Sequence, residues 1–167
     1  MKPLRLLSIF LFFSFSIIGK SQTTVDTDTL DIELAPFTAD NKFDKLKELL
    51  KTDEFERVIV FGAMKRSVEN LAKDLRRSGI TAASLHGDKN HGQRQRALRS
   101  FKQNEAKVLV ATDVAARGIH VDDVDVVVHF DPPDDHKTYL HRSGRTGRAG
   151  RKGKALMLGT KADARND

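Results

Sequence analysis

Between residues 41 and 158 the chain alternates two patterns: short runs in which nearly every position is apolar, and longer stretches in which apolar residues return every three or four positions. The runs at 58–61, 81–85, 108–111, 124–130 and 155–158 have the length of strands. The periodic stretches predict helices over 41–50, with Phe43, Leu46, Leu49 and Leu50 on one face, and over 67–77, with Val68, Leu71, Ala72 and Leu75. Two more are predicted over 93–102, with Ala97, Leu98 and Phe101, and over 134–143. Gly79 closes the second helix. Strands without a polar face must be covered on both sides. The pattern therefore predicts an α/β fold, a three-layer arrangement of a parallel sheet sandwiched by helices, with right-handed crossovers. In such sheets ligands collect beyond the C-terminal strand ends, here the loops after Phe61, Leu85, Ala111 and Phe130.

The ends of the chain read differently. Residues 1–21 carry Lys2 and Arg5, an apolar run from 6 to 18, and Gly19 and Ser21 as small residues two apart, the build of a secretory leader cleaved after Ser21. That run is shorter than the roughly 20 residues a bilayer-spanning helix needs, so no membrane segment is expected in the mature form. Residues 22–39 form an extended acidic lead-in interrupted by Pro36, residues 40–160 the domain, and residues 161–167 a disordered tail. The triplet Gly19-Lys20-Ser21 resembles the end of a phosphate-binding P-loop. The glycine that such a loop needs five positions earlier is Ser14, inside the apolar run, so the match is accidental.

A length of 167 residues holds one well-cored domain rather than two. With 39% hydrophobic and 31% charged residues the chain is neither fibrous nor wholly disordered, and zero cysteines exclude disulfides and thiolate metal sites. The formal charge of +6 falls to +3 without Lys2, Arg5 and Lys20, so the location of charge matters more than its sum. His86, His91 and His120 have no ligand spacing, and no metal site is expected.

The basic charge concentrates late. Residues 141–154 read HRSGRTGRAGRKGK, with Gly144, Gly147, Gly150 and Gly153 each followed by Arg or Lys, and residues 137–160 hold seven Lys or Arg and no carboxylate. Glycine allows close backbone approach and guanidinium forks onto phosphate oxygens, so the segment reads as a polyphosphate grip. Four glycine repeats without proline cannot build a collagen helix. A flexible Gly-Arg tail fits poorly with a position between a predicted helix and a predicted strand.

Three segments in order carry a family resemblance. Tyr139 with HRSGRTGR (141–148) resembles motif VI of the DEAD-box RNA helicases, ATDVAARGI (111–119) resembles motif V, and VIVF (58–61) resembles motif IV. The spacing matches the family's second RecA-like domain from about residue 40 to 160. The resemblance implies a RecA-like, P-loop NTPase-type fold without its own P-loop, which closes on ATP and Mg2+ held by a first, DEAD-motif RecA-like domain in cis or trans. It implies arginine-finger roles for Arg145 and Arg148, with Arg117, His120, His141 and Arg142 on the ATP side. RNA-backbone contacts are implied for Lys65, Arg66, Gly87, Arg94, Thr112, Asp113 and Gly118. Plainer readings stand beside these: a helix cap for Thr112 and Asp113, C-terminal helix capping for His141 and Arg142, and solvated charge for Lys65 and Arg66.

Departures from the family pattern are His91 for the glutamine of Gln-x-x-Arg, His120 for the aspartate after Arg-Gly-Ile, and Ala63 and Met64 for a polar pair. His120 is the most consequential, because imidazole replaces a carboxylate acceptor at the nucleotide ribose only when neutral and oriented, and altered nucleotide affinity is expected. Neither a P-loop nor an Asp-Glu-Ala-Asp stretch occurs in these residues. The sequence thus predicts the C-terminal half of an ATP-dependent RNA helicase that hydrolyses no ATP by itself. The alternative is a stand-alone non-catalytic RNA-binding or competitor module. The domain's chemistry suits the cytoplasm, whereas the leader suggests export.

Overall fold

The structure, a computed structural model, describes residues 30–34, 41–147 and 152–158. The leader, the tail and Arg148 lie outside the described residues. The described residues form eleven elements in the order β1 (Leu30–Leu34), α1 (Lys42–Lys51), β2 (Val58–Phe61), α2 (Lys65–Arg77), β3 (Ala82–Leu85), α3 (His91–Lys102), β4 (Val108–Ala111), α4 (Asp113–Ala116), β5 (Val126–His129), α5 (His136–Ser143) and β6 (Gly153–Met157).

The six strands form one sheet in the order β1-β6-β5-β2-β4-β3, and every pairing is parallel. β2 sits inside it, with Ile59 opposite Leu109 on β4 and Val127 on β5. All four residues of β2, β4 and β5 are buried, as runs without a polar face require. Alternate residues serve opposite cores. Val58, Val60, Val108, Val110, Val126 and Val128 pack with Leu46 and Leu50 of α1 and with Val68, Leu71, Ala72 and Leu75 of α2. Ile59, Phe61, Leu109, Ala111 and Val127 pack on the other face with Phe101 of α3 and with Ala115 and Ala116 of α4. Each buried Val, Leu, Ile or Phe among these contributes about 1.5–3 kcal/mol through removal from water. The predicted three-layer α/β architecture is the observed one.

The differences are local. Residues 30–34, read as part of an extended lead-in, form an edge strand beside β6, a pairing invisible until the chain is folded. α2 starts at Lys65 rather than residue 67, so Lys65 and Arg66 lie on a helical first turn and not in a loop. α3 starts at His91 because Asn90 accepts from the Gln93 N–H while the Gln93 side chain accepts from the Asn90 N–H, a reciprocal capping box. Asp135 accepts from the Thr138 N–H and starts α5 at His136. The single turn of α4 begins where Thr112 and Asp113 read as a helix cap, although its four residues show no period.

Candidate functional site

The C-terminal ends of β2, β4 and β5 meet α4 and α5 around a cavity of about 230 Å³ lined by Phe61, Asp113, Ala116, Arg117, Gly118, Thr138, His141, Arg142 and Arg145. The structure thus brings Arg117, Gly118, Asp113, His141, Arg142 and Arg145 to one place from segments about 25 residues apart in sequence, as the loop rule for parallel sheets leads one to expect.

Arg142 is the keystone. It is buried, and its guanidinium forks onto both carboxylate oxygens of Asp113 at 2.6 Å each. The remaining nitrogen donates to the Asp131 carbonyl at 2.7 Å and approaches His129 Nδ1 at 3.5 Å, while the guanidinium lies 5.2 Å over the Phe61 ring. Arg142 and Asp113 are therefore engaged with each other, which ties motif VI to motif V. Only guanidinium supplies this fork, because an ammonium is a point charge. His129 is fully buried and stacks on Tyr139 at 5.0 Å. A guanidinium N–H only donates, so Nδ1 of His129 accepts and its proton sits on Nε2, facing Ser143 Oγ at 3.2 Å. Burial, then the Arg142 charge, push its pKa down to about 4, against the smaller opposing pull of Asp113.

Arg145 reaches back over the loop after α4. Its guanidinium donates to the Ile119 carbonyl at 2.9 Å and the Ala116 carbonyl at 3.3 Å, and stands 3.5 Å from Asp122. Gly118, at the crest of that loop, has φ +73°, which glycine adopts without steric cost. Arg117 is exposed beside it. Thr112 is buried and precedes α4, but its hydroxyl makes no capping bond to the helix.

A second group lies past β3. Glu69 on α2 accepts from Ser84 Oγ at 2.6 Å and Lys89 Nζ at 2.9 Å, and meets His86 Nε2 at 3.0 Å. Burial raises its pKa, but the hydrogen bonds from Ser84, Lys89 and His86 and the Lys89 charge outweigh this and hold it at about 2. Lys65 bridges to Asp88 at 2.6 Å, which lowers the Asp88 pKa, and lies against Gly87. Arg94 donates to the Ala115 carbonyl at 3.3 Å, fixing α3 to α4, and Arg66 is exposed. His120 does not line the cavity with Arg145. It belongs to a neighbouring groove against α3.

Sequence reading missed Asp131, Glu69 and His129. Asp131 accepts from the Ala63 N–H at 2.8 Å and meets Lys42 Nζ at 3.5 Å, so it pins the loop after β2. The one available signal was an ionisable residue at the end of an apolar run, as in VVVHFD (126–131). Among the described residues no cluster of three or more His, Asp or Glu is placed to hold a metal ion, and no helix is long and apolar enough to cross a membrane.

Residues 41–150 match the family described as "Helicase conserved C-terminal domain". The chain is 50% identical over 117 residues to the DEAD-box ATP-dependent RNA helicase CshA of Bacillus licheniformis, a match covering 70% of this chain and 24% of that protein. Its fold superposes on the E. coli DEAD-box protein SrmB, solved bound to regulator of ribonuclease activity A, with TM-score 0.73 and 44% identity over 79% of this chain and 77% of that one. A DEAD box protein from Methanococcus jannaschii gives TM-score 0.77 and 38% identity over 83% of this chain and 38% of that one. The fold and the ordered motifs thus define a RecA-like helicase domain. This chain belongs to the helicase C-terminal domain family, with the C-terminal domains of DEAD-box RNA helicases as its relatives. It spans about a quarter of the length of the curated relatives it matches.

Proposed function

We propose that the chain is the second half of an ATP-dependent RNA helicase, supplying arginine fingers and RNA-backbone contacts to a first RecA-like domain that holds ATP and Mg2+. The carrying observation is the convergence of Arg117, His141 and Arg145 with Gly118 on one cavity at the C-terminal edge of the sheet. The held guanidinium of Arg145, the exposed one of Arg117 and an open glycine turn suit phosphate. The cavity, about 230 Å³, is smaller than the roughly 300–1,000 Å³ of sites that enclose a whole small ligand, which supports a half-site for the phosphate end of a nucleotide.

Arg145 in this reading exchanges the Ile119 and Ala116 carbonyls and its longer 3.5 Å contact with Asp122 for the γ-phosphate when the domains close. Anionic phosphate outcompetes carbonyl for guanidinium, and the charge that develops in phosphoryl transfer is then stabilised without reorganising solvent. Arg148 is the second finger by family resemblance. Arg142 acts through Asp113, holding motif V against motif VI, and His141 lines the same cavity. On the RNA side, Thr112, Gly118, Gly87, Arg94, Lys65 and Arg66 offer donors to phosphate oxygens, which position RNA without reading its bases. Lys65 must exchange Asp88 for phosphate to take part. Such chemistry suits the cytoplasm.

The test is single-turnover phosphate release with RNA. The chain alone should release nothing above an Arg145→Ala control, and adding a separate DEAD-motif domain in trans should restore turnover, with Arg145→Ala lowering it about 10³-fold. Release by the chain alone overturns the half-site. RNA binding without restored turnover would instead mark a non-catalytic RNA-binding or competitor module.

A further inference from the structure

α3 carries Arg94, Arg96, Arg99 and Lys102 and no carboxylate in its twelve residues. Arg94 turns inward to Ala115. The adjacent flank of the helix presents Gln95, Arg99 and Lys102, and Gln103 just past its end, which at helical spacing form one stripe. That stripe is one wall of an open groove of about 430 Å³, and Gly118, Ile119 and His120 form the other. Leu98 contributes an apolar patch, and no carboxylate lines the groove.

Arg99, Lys102 and His120 are exposed, and none makes an ion pair or side-chain hydrogen bond with a described residue. At the edge of the sheet, by contrast, Lys65, Lys89, Arg142 and Arg145 have carboxylate partners, whereas Arg66 and Arg117 are exposed. Like charges one helical turn apart repel, and an anion between or above Arg99 and Lys102 would relieve that repulsion.

We infer that the groove between α3 and the 118–120 loop is a second RNA-backbone site, separate from the edge loops, in which Arg99 and Lys102 bind successive phosphates. It rests on the reading of the chain as RNA-binding. Three observations point to RNA as the occupant. Gly118 lines both this groove and the arginine cavity, so the two adjoin at that residue. Arg94, on the first turn of the same helix, lies about 12 Å along its axis from Lys102, so basic groups recur from one end of α3 to the other. The Gln95 and Gln103 amides can pair with ribose 2′-hydroxyls, and Leu98 and Ile119 offer apolar surface to a sugar or base. His120, anomalous as a ribose-contacting group, has a place here as a wall of the groove.

The experiment uses the full chain and a fluorescent single-stranded oligouridylate, with affinity followed by anisotropy from about 50 to 200 mM salt. Arg99→Gln with Lys102→Gln should reduce the slope of log affinity against log salt by about 1.4, as two lost phosphate contacts on a single strand require. At about 0.1 M salt this is a loss on the order of tenfold in affinity. Lys73→Gln, on α2, should leave the slope unchanged, and melting curves should show all variants folded, since the altered side chains are exposed. An unchanged slope in the double variant, with the parent still binding RNA, overturns the groove alone. Absence of any salt-dependent RNA binding by the parent overturns both this inference and the RNA reading. If the double variant loses only binding to polyglutamate, the groove docks an acidic protein and the inference falls.

Discussion

Arg142 illustrates how one side chain can matter without touching substrate. It is 3% exposed and satisfies Asp113, the Asp131 carbonyl and His129 together. Arg142→Ala leaves a carboxylate without its partner in a cramped site, and unfolding in urea should show a loss of about 3 kcal/mol. Arg142→Lys should recover only part of this, because one ammonium cannot span both oxygens. His129 gives the domain an acid limit. Its folded pKa of about 4 lies below the ordinary 6.5, so the unfolded chain binds the extra proton between those values. Stability contributed by neutral His129 is present above pH 6.5 and is lost as pH falls toward 4, with a slope of at most about 1.4 kcal/mol per pH unit. His129→Asn should flatten denaturation midpoints over that window. Glu69 titrates lower, between its ordinary 4.5 and about 2, so the two effects separate on the pH axis.

At the scale of elements, the site depends on how closely β6 passes the turn after α5. A Cβ on Gly153 would stand closer than 3.0 Å to the Gly147 backbone and to Thr146 Oγ1. Thr146 is itself buried and donates to the Val124 carbonyl, so it has no room to yield. Gly153→Ala should therefore cost about 1–3 kcal/mol and move Arg145 before it moves the sheet. The check is a thermal melt beside the trans phosphate-release assay, with activity falling further than stability predicts. The glycine repeat was legible as a means of close approach, but its reason at residue 153 is contact between two chain segments rather than with a ligand.

For the whole molecule, the cavity at the strand ends, about 230 Å³, is open and below the size of sites that enclose a whole small ligand. ATP alone should leave the melting temperature of this chain unchanged at millimolar concentration, since a ligand stabilises only in proportion to its occupancy of the folded state. A rise with ATP would mean that the half-site suffices for binding. By itself the sequence determined the layers and the parallel sheet, because unbroken apolar strands between amphipathic helices have no other way to leave water. It also marked two segments whose residues Gly118, Arg142 and Arg145 line one cavity, since they stand in local patterns. Only the tertiary structure decided that Arg142 is spent on Asp113, that Glu69 gathers Ser84, His86 and Lys89, that residues 30–34 pair with β6, and that His120 faces α3. Those are contacts between positions far apart along the chain, and periodicity carries no information about which distant partner a side chain will meet.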